Sequence, residues 1–454
     1  MLPLAMIMKA QGKDIRGSDR SRDQGRTLER FAFIEKQGIE LFPQDGSGVT
    51  REVSKMVVST AVEKTVPDYR AAVSLNIPIV SRAEMLAEIF NQAGMGIGVA
   101  GTSGKSTTTG MIGWILHQLG LKPTIMNGAV MKNFVTPDVP FASAVVGNGG
   151  LFVSEVDESD GSIALFTPKI AVLNNIAFDH KSMPELRALF EDFVGKANGA
   201  VINLDNEEAA ALAERGALRD GCALVTYSQV NASATLFAAN VRFQAYGSSF
   251  DLVCRGEAVP LFVTLEVPGR HNISNALAAI GAAMAVGVSV RDAVKALGGF
   301  KGIRRRLEVV GTTANGITVI DDFAHNPDKI TASLQTLHQT SGRLIILFQP
   351  QGYGPLKLMR NEFVECFAIE LNKEDKLFLS DPLYLGGTID KSVTSADIVG
   401  DIAGRGMQAV YLPKRENCID EMVKGLKSGD KLVIMGARDD TLSVMAADLL
   451  RRVG

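Results

Sequence analysis

The chain has 454 residues, which is enough for two or three domains. Its 47 basic and 50 acidic side chains give a formal net charge of −3, which excludes the general basic field of a nucleic-acid-binding protein. Four scattered cysteines without a Cys-x-x-Cys spacing exclude the common zinc and redox motifs, and we expect them to be buried thiols in a reducing cytoplasm.

The first block, residues 1–93, alternates helical and strand-like pieces, which predicts a parallel α/β layer. Its opening, MLPLAMIMKAQG, is apolar but short and lacks the charged start of a signal peptide. We therefore expect an amphipathic core helix there. Because the block opens on this helix, the strand that would precede it is missing and the predicted domain is truncated. No uncharged apolar run in the chain reaches the length of a membrane span.

The second block, residues 94–296, begins with the buried strand MGIGVAG and the helix KSTTTGMIGWILHQLG, which has Met111, Ile115 and Leu119 on one stripe. The strands LFVSE, KIAVLNN and GAVINLD follow, and then a β-rich stretch. An alanine-rich helix that ends at Gly287 closes the block.

The third block, residues 297–454, alternates strands and helices again, from ITVIDD to LSVMAADLLRR. This pattern predicts a second doubly wound sheet. The fold class is therefore α/β with three domains, in which a central phosphate-loop domain is flanked by two Rossmann-like domains. Hinges near residues 93 and 297 would let such domains close over a reaction and exclude water.

The segment VAGTSGKSTTTG has the character of a phosphate-binding loop between a strand and a helix. Glycines at 101 and 104 let backbone N–H groups turn toward phosphate oxygens at the start of the helix. Lys105 can reach the β- and γ-phosphates, and Ser106 can bind Mg²⁺. The general motif fails only at Val99, where it requires glycine. The alternative is a plain strand–turn–helix connection with an incidental lysine.

Acidic residues follow a later strand in SEVDESDGS, namely Glu155, Asp157, Glu158 and Asp160. Carboxylates at a strand end near a phosphate loop suit a Mg²⁺ site. The alternative is a solvated acidic turn. After the next strand, NNIAFDH supplies His180, although a single histidine is usually not a metal ligand.

The loop variant G-T-x-G-K-S-T resembles the ATP loop of the Mur ligase family, whose members join amino acids to a carboxylate in peptidoglycan synthesis. Folylpolyglutamate synthetases have a similar loop. Two further segments resemble the family patterns E-A-D-E-S-D and N-I-x-x-D-H. The resemblance implies Mg²⁺ on Ser106 and Glu155, and a second Mg²⁺ held partly by His180. It implies that ATP is bound by the loop residues Gly101, Thr102, Ser103, Gly104, Lys105, Ser106 and Thr107.

PGRHNISNA resembles the adenine-binding segment of the same family. The resemblance implies that His271, Asn272 and Asn275 face the nucleotide. An asparagine side chain can both donate to and accept from the edge of adenine. The segment also reads as a helix start with Asn272 as the N-cap, and the two interpretations are compatible.

Two segments of the third block complete the resemblance. GIRRRLE resembles G-x-x-R-R, in which Arg305 and Arg306 align with the two arginines and Arg304 is an extra basic residue. The resemblance implies that an arginine offsets the charge that develops at the γ-phosphate. A solvated basic turn is the alternative. DDFAHNPDK resembles D-D-[YF]-[GA]-H-[HN]-P, which implies that Asp322 and His325 lie by the acyl phosphate and the incoming amine.

The resemblance covers nearly the whole chain, and the alanine-adding member of the family matches best. It implies a ligase that uses ATP and Mg²⁺ to join UDP-N-acetylmuramate to L-alanine through an acyl phosphate, without nucleic acid or membrane insertion. A relative that attaches a ready-made peptide to the same sugar nucleotide shares most motifs, and DDFAH favours it. A folate or peptide acceptor is a further alternative. A nucleotide-binding regulatory protein without catalysis would have little use for Glu155, His180, Asp322 and His325.

Two departures from the family pattern bear on the substrates. Relatives begin with a strand and a glycine-rich loop that cradles the UDP diphosphate, whereas this sequence begins at the helix that follows. Either the start codon is assigned too late or the loop is lost, which leaves only Gly17–Asp19 and Ser59 as candidate contacts. The second departure is QGYGP, residues 351–355, in place of H-R-Y-T-R. Without those two arginines and the histidine, an anionic substrate would be held less tightly.

Overall fold

A computed structural model describes residues 1–60, 62–178, 181–215, 217–244, 246–383, 390–437 and 439–454. These residues form two compact units. The first comprises Met1–Ala239, Asp251–Val263 and Ser274–Lys301, and the second comprises Asn240–Phe250, Thr264–Ile273 and Gly302–Gly454. The predicted domain boundaries near residues 93 and 297 stay predictions.

Residues 1–93 form short helices and two separate ladders. Strand β1 pairs parallel to β2, and β3 pairs parallel to β4, so the predicted parallel layer is present as two two-stranded sheets rather than one. The elements are α1 (Leu2–Ala10), β1 (Arg16–Ser18), α2 (Arg20–Asp23), α3 (Leu28–Lys36), β2 (Glu40–Phe42), β3 (Met56–Val58), α4 (Pro67–Ser74), β4 (Ile79–Ser81) and α5 (Arg82–Asn91).

The region of residues 95–297 contains a ten-stranded sheet, most of which lies in the first unit. Its elements, in chain order, are β5 (Met95–Ala100), α6 (Lys105–Gln118), β6 (Thr124–Met126), β7 (Ala144–Val145), β8 (Leu151–Glu155), β9 (Ile170–Leu173), α7 (Met183–Gly195), β10 (Gly199–Asn203), α8 (Glu207–Glu214), β11 (Ala223–Ser228), β12 (Leu236–Gln244), β13 (Gly247–Cys254), β14 (Leu261–Leu265), α9 (Arg270–Ala285) and α10 (Val290–Leu297).

The strand order of this sheet is β14-β13-β12-β11-β10-β9-β5-β8-β6-β7. Strands β6, β8, β5, β9, β10, β11 and β12 pair in parallel, and β7 pairs antiparallel at the edge. The strands predicted from MGIGVAG, LFVSE, KIAVLNN and GAVINLD are confirmed as β5, β8, β9 and β10. Since the carboxyl ends of parallel strands meet at one edge of a sheet, loops after β5, β8 and β9 lie side by side.

The helices of residues 1–93 share a hydrophobic core with the central sheet. Leu4 and Ile7 of α1 are buried together with Phe90 of α5, with Phe152 of β8 and with Phe193 of α7. The prediction of an amphipathic core helix at the start of the sequence is therefore confirmed. Among the described residues, no helix combines the length and apolarity needed to cross a bilayer.

Side chains from α6 and from the segment after β6 make hydrogen bonds to the last residues of the first unit. Trp114 donates from Nε1 to the carbonyl of Ala296 at 2.9 Å. The Asn133 side chain donates to the carbonyl of Gly299 at 2.8 Å and accepts from the N–H of Lys301 at 2.8 Å. These bonds satisfy backbone groups that would otherwise lack partners after α10 ends.

The second unit contains the predicted second sheet, with strand order β15-β16-β20-β17-β18-β19. Only β15 pairs antiparallel, and the other neighbours pair in parallel. The elements are β15 (Glu308–Thr312), β16 (Thr318–Asp322), α11 (Pro327–Leu337), β17 (Leu344–Gln349), α12 (Tyr353–Leu358), α13 (Arg360–Glu370), β18 (Lys376–Leu379), α14 (Ser395–Gly404), β19 (Ala409–Tyr411), α15 (Arg415–Met422), β20 (Lys431–Gly436) and α16 (Thr441–Val453).

Buried apolar side chains cover both faces of this sheet. One cluster joins it to α11, α13 and α14, and a second joins it to α15 and α16. This arrangement explains the continuous apolar runs of β17 and β20, whose residues are all buried. All four cysteines are free thiols, and Cys254, Cys366 and Cys418 are buried as expected. The expectation of burial is wrong for Cys222, which is partly exposed.

Candidate functional site

The predicted phosphate loop connects β5 to α6 at the carboxyl edge of the central sheet. Gly101 has a φ of +138° and Gly104 a φ of +83°, which are conformations that L side chains rarely adopt. A Cβ on Gly104 would lie 2.5 Å from Oδ1 of Asn275 and 2.8 Å from Nδ2 of Asn174. Both glycines are therefore needed for the shape of the loop.

Two asparagines that follow β9 fix the loop from the neighbouring strand. Asn175 accepts from Thr102 Oγ1 at 2.8 Å and from the N–H of Ser103 at 2.9 Å, and it donates to the carbonyl of Ser103 at 3.2 Å. Asn174 donates to Thr108 Oγ1 at 3.0 Å. Sequence reasoning did not find these roles. Their signal was a pair of amides at the end of the predicted strand KIAVLNN.

The lysine of the loop is held by two acceptors. Its Nζ donates to the carbonyl of Gly101 at 2.7 Å and to Oε2 of Glu158 at 2.7 Å. Glu158 is almost fully buried, and this burial raises the pKa of its carboxyl group even though the charge of Lys105 opposes the shift. The loop therefore presents a charge pair rather than an isolated ammonium group.

A second carboxylate of the same acidic segment contacts the next residue of the loop. Ser106 donates from Oγ to Oε2 of Glu155 at 2.7 Å. A Cβ on Gly128 would lie 2.0 Å from Oε1 of Glu155, so glycine at 128 makes room for this carboxylate. The four acidic residues predicted as one metal-binding run are thus divided, with Glu155 on Ser106 and Glu158 on Lys105.

The oxygens at Ser106 and Glu155 fit a Mg²⁺ ion. Mg²⁺ is usually bound through one or two carboxylates together with phosphate oxygens and water, rather than by an all-protein cage. Within the described part of the chain, no group of three or more histidine, cysteine or acidic side chains could hold a metal ion by itself. His180, predicted as a ligand of a second Mg²⁺, lies outside the described residues, as does Asp179.

The segment predicted to bind adenine forms the start of α9. Asn272 lies inside the first turn of this helix and donates to the carbonyl of Pro268 at 2.7 Å, so the prediction that it is the N-cap is wrong by three residues. Asn275 is buried and accepts from Thr108 Oγ1 at 3.1 Å. His271 is exposed. The nucleotide contacts of these three residues stay predictions.

Ser18, one of the candidate contacts near the amino terminus, has a protein partner. The hydroxyl of Ser18 donates to the carboxylate of Asp68, whose other oxygen accepts from the N–H of Gly46 at 2.6 Å. Asp68 is buried, so these bonds satisfy a charge that would otherwise be costly. Ser18 therefore has a structural role in this segment.

In the second unit, Arg305 is buried within a polar cluster. Its Nη2 donates to the carbonyl of Gly436 at 2.7 Å, and its Nε lies 3.5 Å from Oδ1 of Asp321. Asp321 accepts from Ser443 Oγ at 2.5 Å. Arg305 has a φ of +59°, a strained conformation for a residue with a side chain. Its guanidinium group thus ties the ends of two strands together, and its predicted role at the γ-phosphate stays a prediction.

Arg306 and His325 lie around the ring of Phe323. The guanidinium carbon of Arg306 is 4.4 Å from the ring centroid, and that of Arg305 is 5.1 Å from it. The His325 ring meets Phe323 edge-on at 5.4 Å, and its Nδ1 lies 2.9 Å from the carbonyl of Phe323. The aromatic position of DDFAH therefore orients neighbouring cations through its π face.

Asp322 is the other buried acid of this cluster. Its Oδ2 accepts from Ser333 Oγ at 2.5 Å, and its Oδ1 accepts from the N–H of Leu307 at 3.1 Å. These bonds bring β16, α11 and the arginine-containing segment together. The structure therefore groups Arg305, Arg306, Asp322 and His325, which the sequence predicted as parts of one site.

Substituting Asp321 with asparagine is expected to flatten the pH dependence of stability of the chain. Burial raises the pKa of Asp321 from 3.8 to about 6, although Arg305 opposes this shift. The folded chain therefore binds more protons than the unfolded chain across this window, so the free energy of unfolding falls as the pH rises through it. The loss is roughly 2–3 kcal/mol. Asparagine does not titrate and abolishes this contribution.

Urea unfolding of wild type and Asp321→Asn at intervals from acidic to neutral pH measures the difference. Each data set gives a curve of the free energy of unfolding against pH. Subtracting one curve from the other removes the contribution of every other titrating group, provided that those groups titrate independently of Asp321. A constant difference in the free energy of unfolding across the whole range would contradict the prediction.

The QGYGP segment forms the start of α12. Tyr353 is buried, and the Lys391 ammonium lies 5.2 Å from the centroid of its ring. Burial raises the pKa of the Tyr353 hydroxyl, and the charge of Asp381 adds to the effect. The tyrosine that this segment shares with H-R-Y-T-R is therefore a packed residue here.

Three segments of the chain match models of one protein family. Residues 1–93 match the model described as Mur ligase family, catalytic domain, residues 99–283 match the Mur ligase middle domain, and residues 305–438 match the Mur ligase, glutamate ligase domain. Together these models cover most of the sequence in the order expected from the motifs.

Individual relatives match along nearly their whole length. A UDP-N-acetylmuramate–L-alanine ligase of Lachnospira eligens is 31% identical over 99% of this chain and 95% of its own. One from Mesorhizobium japonicum is 34% identical over 97% of this chain and 93% of its own. The crystal structure of UDP-N-acetylmuramate-alanine ligase from Thermotoga maritima has a TM-score of 0.80 at 24% identity, covering 100% of this chain and 96% of that one, and so has the same fold. On the matched models and these identities, the chain belongs to the Mur ligase family and has its three-domain α/β fold.

Proposed function

We propose that this chain is an ATP-dependent amide ligase that joins the carboxylate of UDP-N-acetylmuramate to the amino group of L-alanine. The observation that carries the proposal is the loop at the carboxyl edge of the central sheet, where Lys105 and Ser106 each contact a separate carboxylate. Full-length similarity to proteins named as alanine ligases supports the choice of substrates.

The loop binds the phosphates of ATP. Its glycines keep side chains away from the backbone N–H groups at the start of α6, where the helix adds positive potential. The Lys105 ammonium donates to the β- and γ-phosphate oxygens and offsets the charge that develops as the γ-phosphoryl group leaves. The substrate carboxylate attacks this phosphorus, and ADP leaves.

Ser106 and Glu155 would hold Mg²⁺, and His180 would contribute to a second Mg²⁺ ion. When bound, the metal supplies positive charge at the phosphate oxygens. Glu155 accepts a hydrogen bond from the Ser106 hydroxyl at 2.7 Å. This bond fixes one oxygen of each side chain beside the first turn of α6. Gly128 leaves the space that this carboxylate occupies.

The second step forms the amide bond. The amine attacks the carbonyl carbon of the acyl phosphate, the tetrahedral intermediate collapses, and inorganic phosphate leaves with the electron pair of the broken C–O bond. The proton that the amine loses in this step passes to the departing phosphate or to solvent. We assign Asp322 and His325 to this stage, and Arg305 and Arg306 to the charge on the phosphoryl group. His271, Asn272 and Asn275 are assigned to the adenine.

A phosphate-release assay tests the proposal. Purified protein is given ATP, Mg²⁺, UDP-N-acetylmuramate and L-alanine, and each component is omitted in turn. We expect phosphate release only from the complete mixture. The acyl phosphate forms only on UDP-N-acetylmuramate, and inorganic phosphate leaves only when the amine attacks the acyl phosphate. Mass spectrometry of the product should show the gain of one alanine residue.

Two further mixtures distinguish related activities. One replaces L-alanine with a tripeptide, because DDFAH favours the relative that attaches a ready-made peptide and QGYGP lacks the basic residues of H-R-Y-T-R. The other replaces the sugar nucleotide with folate. Faster turnover with either would overturn the assigned substrates, and ATP binding without any acceptor-dependent ADP would overturn the assignment as a ligase.

A further inference from the structure

The ion pair between Lys105 and Glu158 has no role in the scheme above. Glu158 Oε2 lies 2.7 Å from Lys105 Nζ, and the two side chains are 4% and 19% exposed. Glu155, three residues earlier, contacts Ser106 and not the lysine. The segment therefore contributes one carboxylate to each functional group of the loop.

The geometry leaves the lysine with one donor to spare. An ammonium group has three N–H donors. One is directed to the carbonyl of Gly101 at 2.7 Å and one to Glu158 at 2.7 Å. Because these two acceptors are fixed, they determine the direction of the third N–H bond. The Gly101 carbonyl and Glu158 therefore orient the ammonium group.

Burial indicates that this pair persists when a nucleotide binds. Glu158 is almost fully buried, so water cannot replace the lysine as its partner. Removing one member of a buried pair leaves an uncompensated charge, which is strongly unfavourable. The long lysine side chain can instead bind the β- and γ-phosphate oxygens by sharing its one remaining N–H donor between them.

We propose that Glu158 is a positioning residue that holds the Lys105 ammonium in place through phosphoryl transfer. Glu158 would not touch ATP or the metal. It would act only through Lys105, by fixing the direction of the third N–H bond. This inference rests on the proposed role of Lys105 in phosphate binding.

The first experiment measures the coupling of the two residues by thermal unfolding, without any nucleotide. Lys105→Met leaves the buried carboxylate without its partner and should lower the melting temperature. Adding Glu158→Gln removes that charge, so the double variant should recover most of the loss. A loss of melting temperature in the double variant that equals the sum of the losses in Lys105→Met and Glu158→Gln would show that the two residues act independently. That result would overturn the inference.

The second experiment measures turnover with the full set of substrates. Glu158→Gln keeps the shape of the side chain but removes its charge. We expect kcat to fall on the order of 10- to 100-fold, with a much smaller change in the KM for ATP, because a misplaced catalytic group affects the reaction more than binding. Glu158→Asp, which keeps the charge, should recover part of kcat.

Glu88→Gln is the matched control, since Glu88 accepts from Lys55 at 2.8 Å in an exposed Lys–Glu pair of the same unit. It should leave kcat and the melting temperature unchanged. Wild-type kcat in Glu158→Gln would overturn the inference. If wild type forms no acceptor-dependent ADP, the proposed function fails, and the melting experiment still decides whether Glu158 and Lys105 are coupled.

Discussion

Replacing Lys105 with alanine is expected to reduce acceptor-dependent phosphate release by at least about 10²–10³-fold. The substitution removes the ammonium group that stands at the start of α6, within 2.7 Å of the Gly101 carbonyl and of Glu158. It also leaves the negative charge of Glu158 unbalanced next to the phosphates. Both effects oppose the build-up of charge in phosphoryl transfer. Initial rates of phosphate release at saturating substrates measure the loss.

Lys55→Ala is the control for this substitution. Lys55 pairs with Glu88 at 2.8 Å on the surface of the same unit, so its loss removes a similar ion pair without touching the loop. Circular dichroism establishes that both variants are folded. Turnover of Lys105→Ala within a few-fold of wild type would refute the assignment of the loop as the ATP site.

Arg305→Ala is expected to lower the free energy of unfolding by about 3–5 kcal/mol. The substitution removes the donor to the Gly436 carbonyl and the positive charge 3.5 Å from buried Asp321. Alanine keeps the strained backbone at residue 305, because it also carries a Cβ. The change in stability therefore reports the guanidinium group. Urea unfolding at neutral pH, where Asp321 is largely charged, measures it.

Arg360→Ala provides the comparison for this prediction. Arg360 makes two bonds to Asp401, at 2.8 and 3.0 Å, but both residues of this pair are exposed. Its loss should change stability by less than about 1 kcal/mol. If the two arginine variants unfold at the same urea concentration, the polar cluster around Arg305 does not stabilise the second unit.

The sequence was sufficient for the features that depend on local pattern. The apolar run MGIGVAG and the glycines that follow it predicted β5 and the loop, and the strand order places the segments after β8 and β9 beside that loop. Arg305 and Arg306 of GIRRRLE were predicted as residues of the same site as Asp322 and His325 of DDFAHNPDK. The structure groups them through Asp322 and the N–H of Leu307.

What the sequence could not give are contacts that depend on side-chain packing. Glu155 and Glu158 have the same chemistry and nearly the same position, and only the three-dimensional structure shows which contacts Ser106 and which contacts Lys105. Arg305 and Arg306 are likewise equivalent in the motif. Burial distinguishes them, because Arg305 is bonded inside the unit whereas Arg306 is half-buried over Phe323.

The two asparagines after β9 have a consequence for nucleotide affinity. Because Asn174 and Asn175 bind the loop from a neighbouring strand, its shape is fixed when the chain folds. Most of the entropic cost of ordering the loop is then met by folding and not by ligand binding. Damage to the packing beneath β9 would accordingly weaken ATP binding even where every phosphate-contacting group is intact.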